Sequence, residues 1–139
     1  MRLMDWSLCD RNFIKRVEVD KERVSSIVKM ALKRLERARS TKVTKDNVSF
    51  VVEDYYEVIK ELLVAFMLKN GFRSKNHQCL ISYFYKEKKL EREAILIAQM
   101  SFYRNRLNYY GDSIPLVFHE ENKKEFEEII KILKGIIKE

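Results

Sequence analysis

Residues 102–113, FYRNRLNYYGDS, gather two arginines, two asparagines and three tyrosines at the end of an apolar-periodic run. Arg104 and Arg106 carry planar guanidinium forks suited to phosphate oxygens. Asn105 and Asn108 offer amides that orient a phosphate or a ribose hydroxyl. Tyr109 and Tyr110 offer rings on which a base can stack. On a helix Arg104 and Asn108 share one face, and Asn105 and Tyr109 share another. Arg104 and Tyr109 are five residues apart, so roughly 140° apart around an ideal helix. They converge only if the helix loosens near its end or if each meets a partner across a dimer axis. A second reading stays open at this point. Arg104 ties down carbonyls, Asn108 caps the helix and the tyrosines fill a corner.

The rest of the chain holds little other chemistry. It has no Gly-rich phosphate loop, no HExxH, no GxSxG and no paired-carboxylate signature. His77 and His119 lie in different segments and suggest no metal site by spacing; both are expected at the surface or at helix ends. No metal or cofactor is expected.

The elements that position the cluster read as helices. Asp20 is a natural N-cap, with Glu22 in the first turn. Val24, Val28, Ala31, Leu35 and Ala38 then recur at spacings of four and three. Lys29, Lys33 and Arg37 line a different face. Thr44 is the next expected cap, before Val48, Val52, Tyr55, Ile59, Leu62 and Phe66, with Gly71 as the stop. A short helix is expected over about 76–86, and a long one over about 90–108 with small Ala94, Ala98 and Ser101 on one side. Gly111 and Pro115 break the pattern. A last amphipathic helix is expected over about 121–138, acidic at its start and basic at its end. Short connections predict antiparallel neighbours. The expected fold is all-α: an up-and-down antiparallel bundle of four long helices plus a shorter one, one domain over residues 1–139. Trp6 and Phe13 suggest that residues 1–19 pack on the bundle.

Composition agrees with a single globular domain: 139 residues, 46% hydrophobic and 35% charged, with 3 Gly and 1 Pro. So few turn residues argue against an all-β fold. No stretch reaches a membrane span, and the charged start is unlike a signal peptide, so a cytoplasmic protein is expected. Cys9 and Cys79 have no motif spacing; they suggest a reducing compartment and inert thiols, not a disulfide or a zinc site. The net charge of +7 lies entirely in residues 1–45, with 13 Lys/Arg against 6 Asp/Glu; residues 46–139 carry 15 of each. That asymmetry is either a footprint for RNA or another polyanion, or a solvated basic face.

Three stretches together resemble the HEPN family (higher eukaryote and prokaryote nucleotide-binding domains), in its small prokaryotic and archaeal form. RNRLNY matches the family's R-polar-x(3)-H motif, with Arg104 at the Arg, Asn105 at the polar position and Tyr109 where the His belongs. VVEDYYEVIKELLVAFMLKNGFRSKNH resembles its second helix, glycine turn and Ser/Lys/His helix start, and VDKERVSSIVKMALKRLERA its first helix. The resemblance covers roughly residues 18–112. It implies a helical homodimer that binds RNA or nucleotide through Arg104, Asn105, Arg106, Asn108, Tyr109 and Tyr110. It also implies a toxin–antitoxin or defence pairing with a nucleotidyltransferase, for which Tyr110 is a candidate modification target. Catalytic members resemble metal-independent ribonucleases whose Arg and His meet at the dimer interface. Here Arg104 and Tyr109 occupy those places, and an ordinary phenol, with a pKa of about 10, is a poor substitute for an imidazole near neutral pH. Binding without catalysis is therefore the leading expectation, ahead of a purely structural or partner-binding bundle and of an active ribonuclease.

Overall fold

The structure, a computed structural model, describes residues 2–139. Six helices and one minute sheet follow in the order α1 (Trp6–Asn12), β1 (Lys15–Arg16), α2 (Lys21–Ser40), α3 (Val48–Lys69), β2 (Phe72–Arg73), α4 (His77–Lys88), α5 (Glu91–Tyr110) and α6 (Leu116–Lys138). The fold is mainly α-helical. The four long helices and the shorter α4 are the five expected elements; α1 and the β1–β2 pair are additional.

Helix starts follow side-chain chemistry. Asp20 caps α2 by accepting from the Arg23 amide (3.1 Å). Asn76 caps α4 by accepting from the amides of Gln78 and Cys79. Thr44 behaves differently from its expected role. It exchanges hydrogen bonds with Asn47 (Thr44 N to Asn47 Oδ1, 2.8 Å) across a turn, and the helix proper starts at Val48. Gly71 ends α3 with φ +84°, a left-handed conformation that a side chain would strain. The last helix starts five residues earlier than expected, because Pro115 stands just before its first turn, where a missing N–H costs nothing. Phe118 and His119 are then buried on α6.

α3 is the axis. Val52, Tyr55, Ile59, Leu62 and Phe66, the stripe read from the sequence, are buried, and so are Val51, Tyr56, Val58, Leu63 and Met67 around it. Such broad burial fits a helix flanked by neighbours on most sides, its remaining stripe carrying Phe50, Glu53, Asp54, Glu57, Lys60 and Glu61. α2, α4, α5 and α6 all pack on it. Ala94 and Ala98 of α5 are buried in the same core, so the small residues serve packing inside the chain. Polar ties pin the neighbours. The Tyr55 hydroxyl donates to Glu127 of α6 (2.9 Å), which also receives Arg39 of α2. The Ile114 amide donates to buried Ser49 (2.8 Å), fixing the α5–α6 turn on α3.

The N-terminal segment meets the bundle through Trp6 against Tyr83 (ring centroids 5.5 Å) and Ser82 donating to the Met4 carbonyl. Phe13 does not share in this and is 41% exposed. The reading of Cys9 and Cys79 as separate thiols is overturned. They form a disulfide with Cα atoms 5.5 Å apart, joining α1 to the first turn of α4. No local spacing announces that pair, because only the docking of α1 brings the two together. Beside it, β1 and β2 run antiparallel, Lys15 opposite Arg73 and Arg16 opposite Phe72. No helix among the described residues is long and apolar enough to cross a membrane.

Candidate functional site at the end of α5

α5 runs unbroken to Tyr110 and closes on Gly111, whose φ of +68° lets the Gly111 and Asp112 amides return to the Leu107 and Arg106 carbonyls. The last turn therefore does not loosen, and it divides the cluster between two faces.

Ser101, Arg104, Asn105 and Asn108 lie toward α3 and α4. Ser101 is buried, accepts from Gln78 Nε2 (3.0 Å) and meets the Tyr56 hydroxyl. Arg104, its side chain 23% exposed, reaches Glu57 (3.4 Å). The Asn108 amide accepts from Arg104 Nε (3.1 Å) and donates to Glu53 (3.1 Å) when donors are matched to acceptors. Asn105 Oδ1 stands 3.5 Å from Arg104 Nη1. Glu57 in turn holds Lys60, which also approaches Glu61 (3.5 Å). Two cations thus face three carboxylates, so this patch is not a positive anion trap as it stands. What it provides is a guanidinium held in one orientation by three partners.

The second face is open. Tyr109 is 76% exposed and Tyr110 69%. Arg106 lies over the Tyr110 ring (4.5 Å to the centroid) and binds Asp112 through Nε (2.8 Å). Phe102 is also exposed, one helix turn earlier, while Tyr103 is taken up against Phe118 (4.5 Å). Arg104 and Tyr109 do not converge within one chain.

Residues outside the arginine-rich run complete the inner patch: Glu53, Glu57 and Lys60 from α3, and His77 and Gln78 from the start of α4. His77 is half-buried, and burial lowers its pKa, with Lys60 and Arg104 adding to the effect against Glu57 and Glu61. At neutral pH it is therefore an uncharged imidazole in the field of Arg104. Its place at a helix end matches expectation. His119 does not. It is 4% exposed, its Nε2 has no hydrogen-bond partner, and its pKa is lowered first by burial and then by Lys123. The described residues hold no group of three or more metal-ligating side chains. No protein-family model, curated protein or solved structure matches this chain.

Proposed function

We propose that the chain is a HEPN-like helical homodimer that binds RNA or nucleotide at the end of α5 without cleaving it, paired with a nucleotidyltransferase in a toxin–antitoxin or defence system. The observation that carries the reading is the exposed Tyr109–Tyr110 pair beside Arg106. Two unpacked rings next to a guanidinium make a stacking surface, and each stacked base contributes about 1–3 kcal/mol. Arg104, Asn105 and Asn108 form the oriented rear of the site. In the dimer, Tyr109 of one copy would meet Arg104 of the other. The up-and-down course of α2, α3, α5 and α6 belongs to the same reading and is supported by the short connections between them. A cytoplasmic location completes it. The Cys9–Cys79 pair is compatible with that compartment where intracellular disulfides persist, as in hyperthermophiles.

Two observations favour other readings. The Arg106–Asp112 and Arg104–Glu57 pairs suit a capped helix end in a structural or partner-binding bundle. His77 near Arg104 supplies the imidazole that a metal-independent ribonuclease needs. Titration of a labelled single-stranded RNA and of ATP, in EDTA, separates the three. Tyr109→Ala/Tyr110→Ala weakens binding at least about tenfold if two stacked bases are lost. Unchanged affinity in that variant, with a lowered Tm in Arg104→Ala, establishes the structural bundle instead. RNA cleavage abolished by His77→Ala establishes the nuclease.

A further inference from the structure

The helices of residues 1–45, the stretch that carries the charge excess, are α1 and α2, which pack on α4 and α3. On α2, Arg37 pairs with Asp54 and Arg39 with Glu127. A different place collects cations without acids. Between the α1–β1 connection and the β2–α4 turn lies a cleft of about 400 Å³, lined by Arg11, Phe13, Lys15, Arg73, Ser74 and Lys75 among others. None of its four cations forms an ion pair among the described residues, and no carboxylate lines it. Four other surface clefts each include one: Asp5, Glu61, Glu36, or Glu127 with Glu128.

Two further features show that the cleft is built. Its walls, some sixty residues apart in sequence, are fixed on both flanks. The Cys9–Cys79 disulfide ties them on one side; the β1–β2 ladder, extended by the Val17 amide donating to the Gly71 carbonyl (2.9 Å), ties them on the other. Within that ladder Lys15 stands directly opposite Arg73, and like charges in that position destabilise a sheet. Among the described residues no carboxylate forms an ion pair with either side chain. An anion bridging the two side chains would offset the repulsion. Phe13, exposed at the rim, adds a face on which a base can stack.

We propose that this cleft is a phosphate-chain site that holds the backbone of RNA, separate from the end of α5 and not dependent on the reading made there. Arg11, Lys15, Arg73 and Lys75 take successive phosphates, and Phe13 takes one base.

The test is fluorescence titration of a labelled twelve-nucleotide single-stranded RNA, with inorganic tripolyphosphate as competitor, at several salt concentrations. The informative variant is Lys15→Glu. It turns the repulsive cross-strand pair into an attractive one, so it removes Lys15 and neutralises Arg73 while leaving the Tm equal or higher. Four phosphate contacts give a log–log salt slope of about −2.8, and losing two lowers it by about 1.4, which is about 25-fold in affinity at 0.1 M salt. Lys29→Glu/Lys33→Glu, a larger charge change on α2, is expected to shift affinity less than about threefold. Tyr109→Ala/Tyr110→Ala reports the α5 site independently. The proposal is overturned if Lys15→Glu binds within threefold of the parent, if it weakens binding no more than the α2 variant does, or if neither RNA nor tripolyphosphate binds at low salt. Loss in Lys15→Glu with full binding in the tyrosine variant upholds the cleft and removes the α5 reading. Tripolyphosphate that displaces RNA at equal concentration shows a site for free phosphate chains; RNA at least tenfold tighter, with the surplus lost in Phe13→Ala, shows the nucleic acid.

Discussion

Breaking the Cys9–Cys79 bond is the perturbation whose size follows most directly from the structure. The two cysteines are 70 residues apart, and the loop they close contains α2 and α3 entire. The chain-entropy relation for a loop of that length gives about 15 cal/mol/K, or about 4.4 kcal/mol at 25 °C, favouring the cross-linked protein. For a domain of this size 1 kcal/mol moves Tm by about 3 °C, so Cys9→Ala/Cys79→Ala is expected to melt about 13 °C lower. Reduction of the parent by a dithiol should produce nearly the same shift. Differential scanning calorimetry measures both. Thiol titration in denaturant should find no free thiol before reduction and two after. Two titratable thiols in the unreduced protein, or a Tm that moves by less than about 3 °C in both arms, refutes the pairing and the arithmetic built on it.

Other expectations concern single side chains. Tyr55→Phe removes the hydrogen bond to Glu127 and should cost about 1–2 kcal/mol by chemical denaturation; no change would mean that Arg39 alone satisfies the carboxylate. The two helical-region glycines should respond with opposite signs. Gly135→Ala, inside α6 with open space around it, should stabilise by about 0.5–1 kcal/mol, whereas Gly111→Ala, at φ +68°, should destabilise by about 1 kcal/mol; equal signs would contradict the backbone assignments. Burial lowers the pKa of His119, so the unfolded chain binds the proton more readily, and stability is full above about pH 6.5 and falls as pH drops below it. In His119→Phe the fall in Tm between pH 7.5 and 5 should be smaller than in the parent; an unchanged pH profile would remove His119 as its source.

Much of the fold was legible because it is written in local periodicity. The four-and-three spacing from Val24 to Ala38, the Asp20 cap and the Gly71 and Gly111 stops all act within a few residues of themselves. The misreadings come from ambiguous local signals, from strands too short to show a period and from contacts between distant segments. The start of α6 is ambiguous in sequence because Pro115 signals a helix beginning as well as a break, and the acidic run near residue 125 has the composition of a first turn. Strands of two residues carry no period to detect. The disulfide, the cross-strand pairing of Lys15 with Arg73, and the approach of Glu57 and His77 to Arg104 are all meetings of distant segments. At the end of α5, sequence supplied the tyrosines, both arginines and Asp112, though not the exposure of Tyr109 and Tyr110. It did not supply Glu57, which restrains Arg104, because that carboxylate comes from α3.

The enclosure of α3 also has a consequence for synthesis. A helix with so broad an apolar surface leaves the ribosome with only α2 ready to cover it, and the end of α6 follows 69 residues after its own end. At ordinary elongation rates of about 5–20 residues per second, that interval lasts roughly 4–14 s. Throughout it the nascent chain displays Val58, Leu62, Phe66 and Met67 with no complete partner surface. Aggregation or chaperone capture should therefore concentrate on chains stalled after α3, and should fade once α6 has emerged.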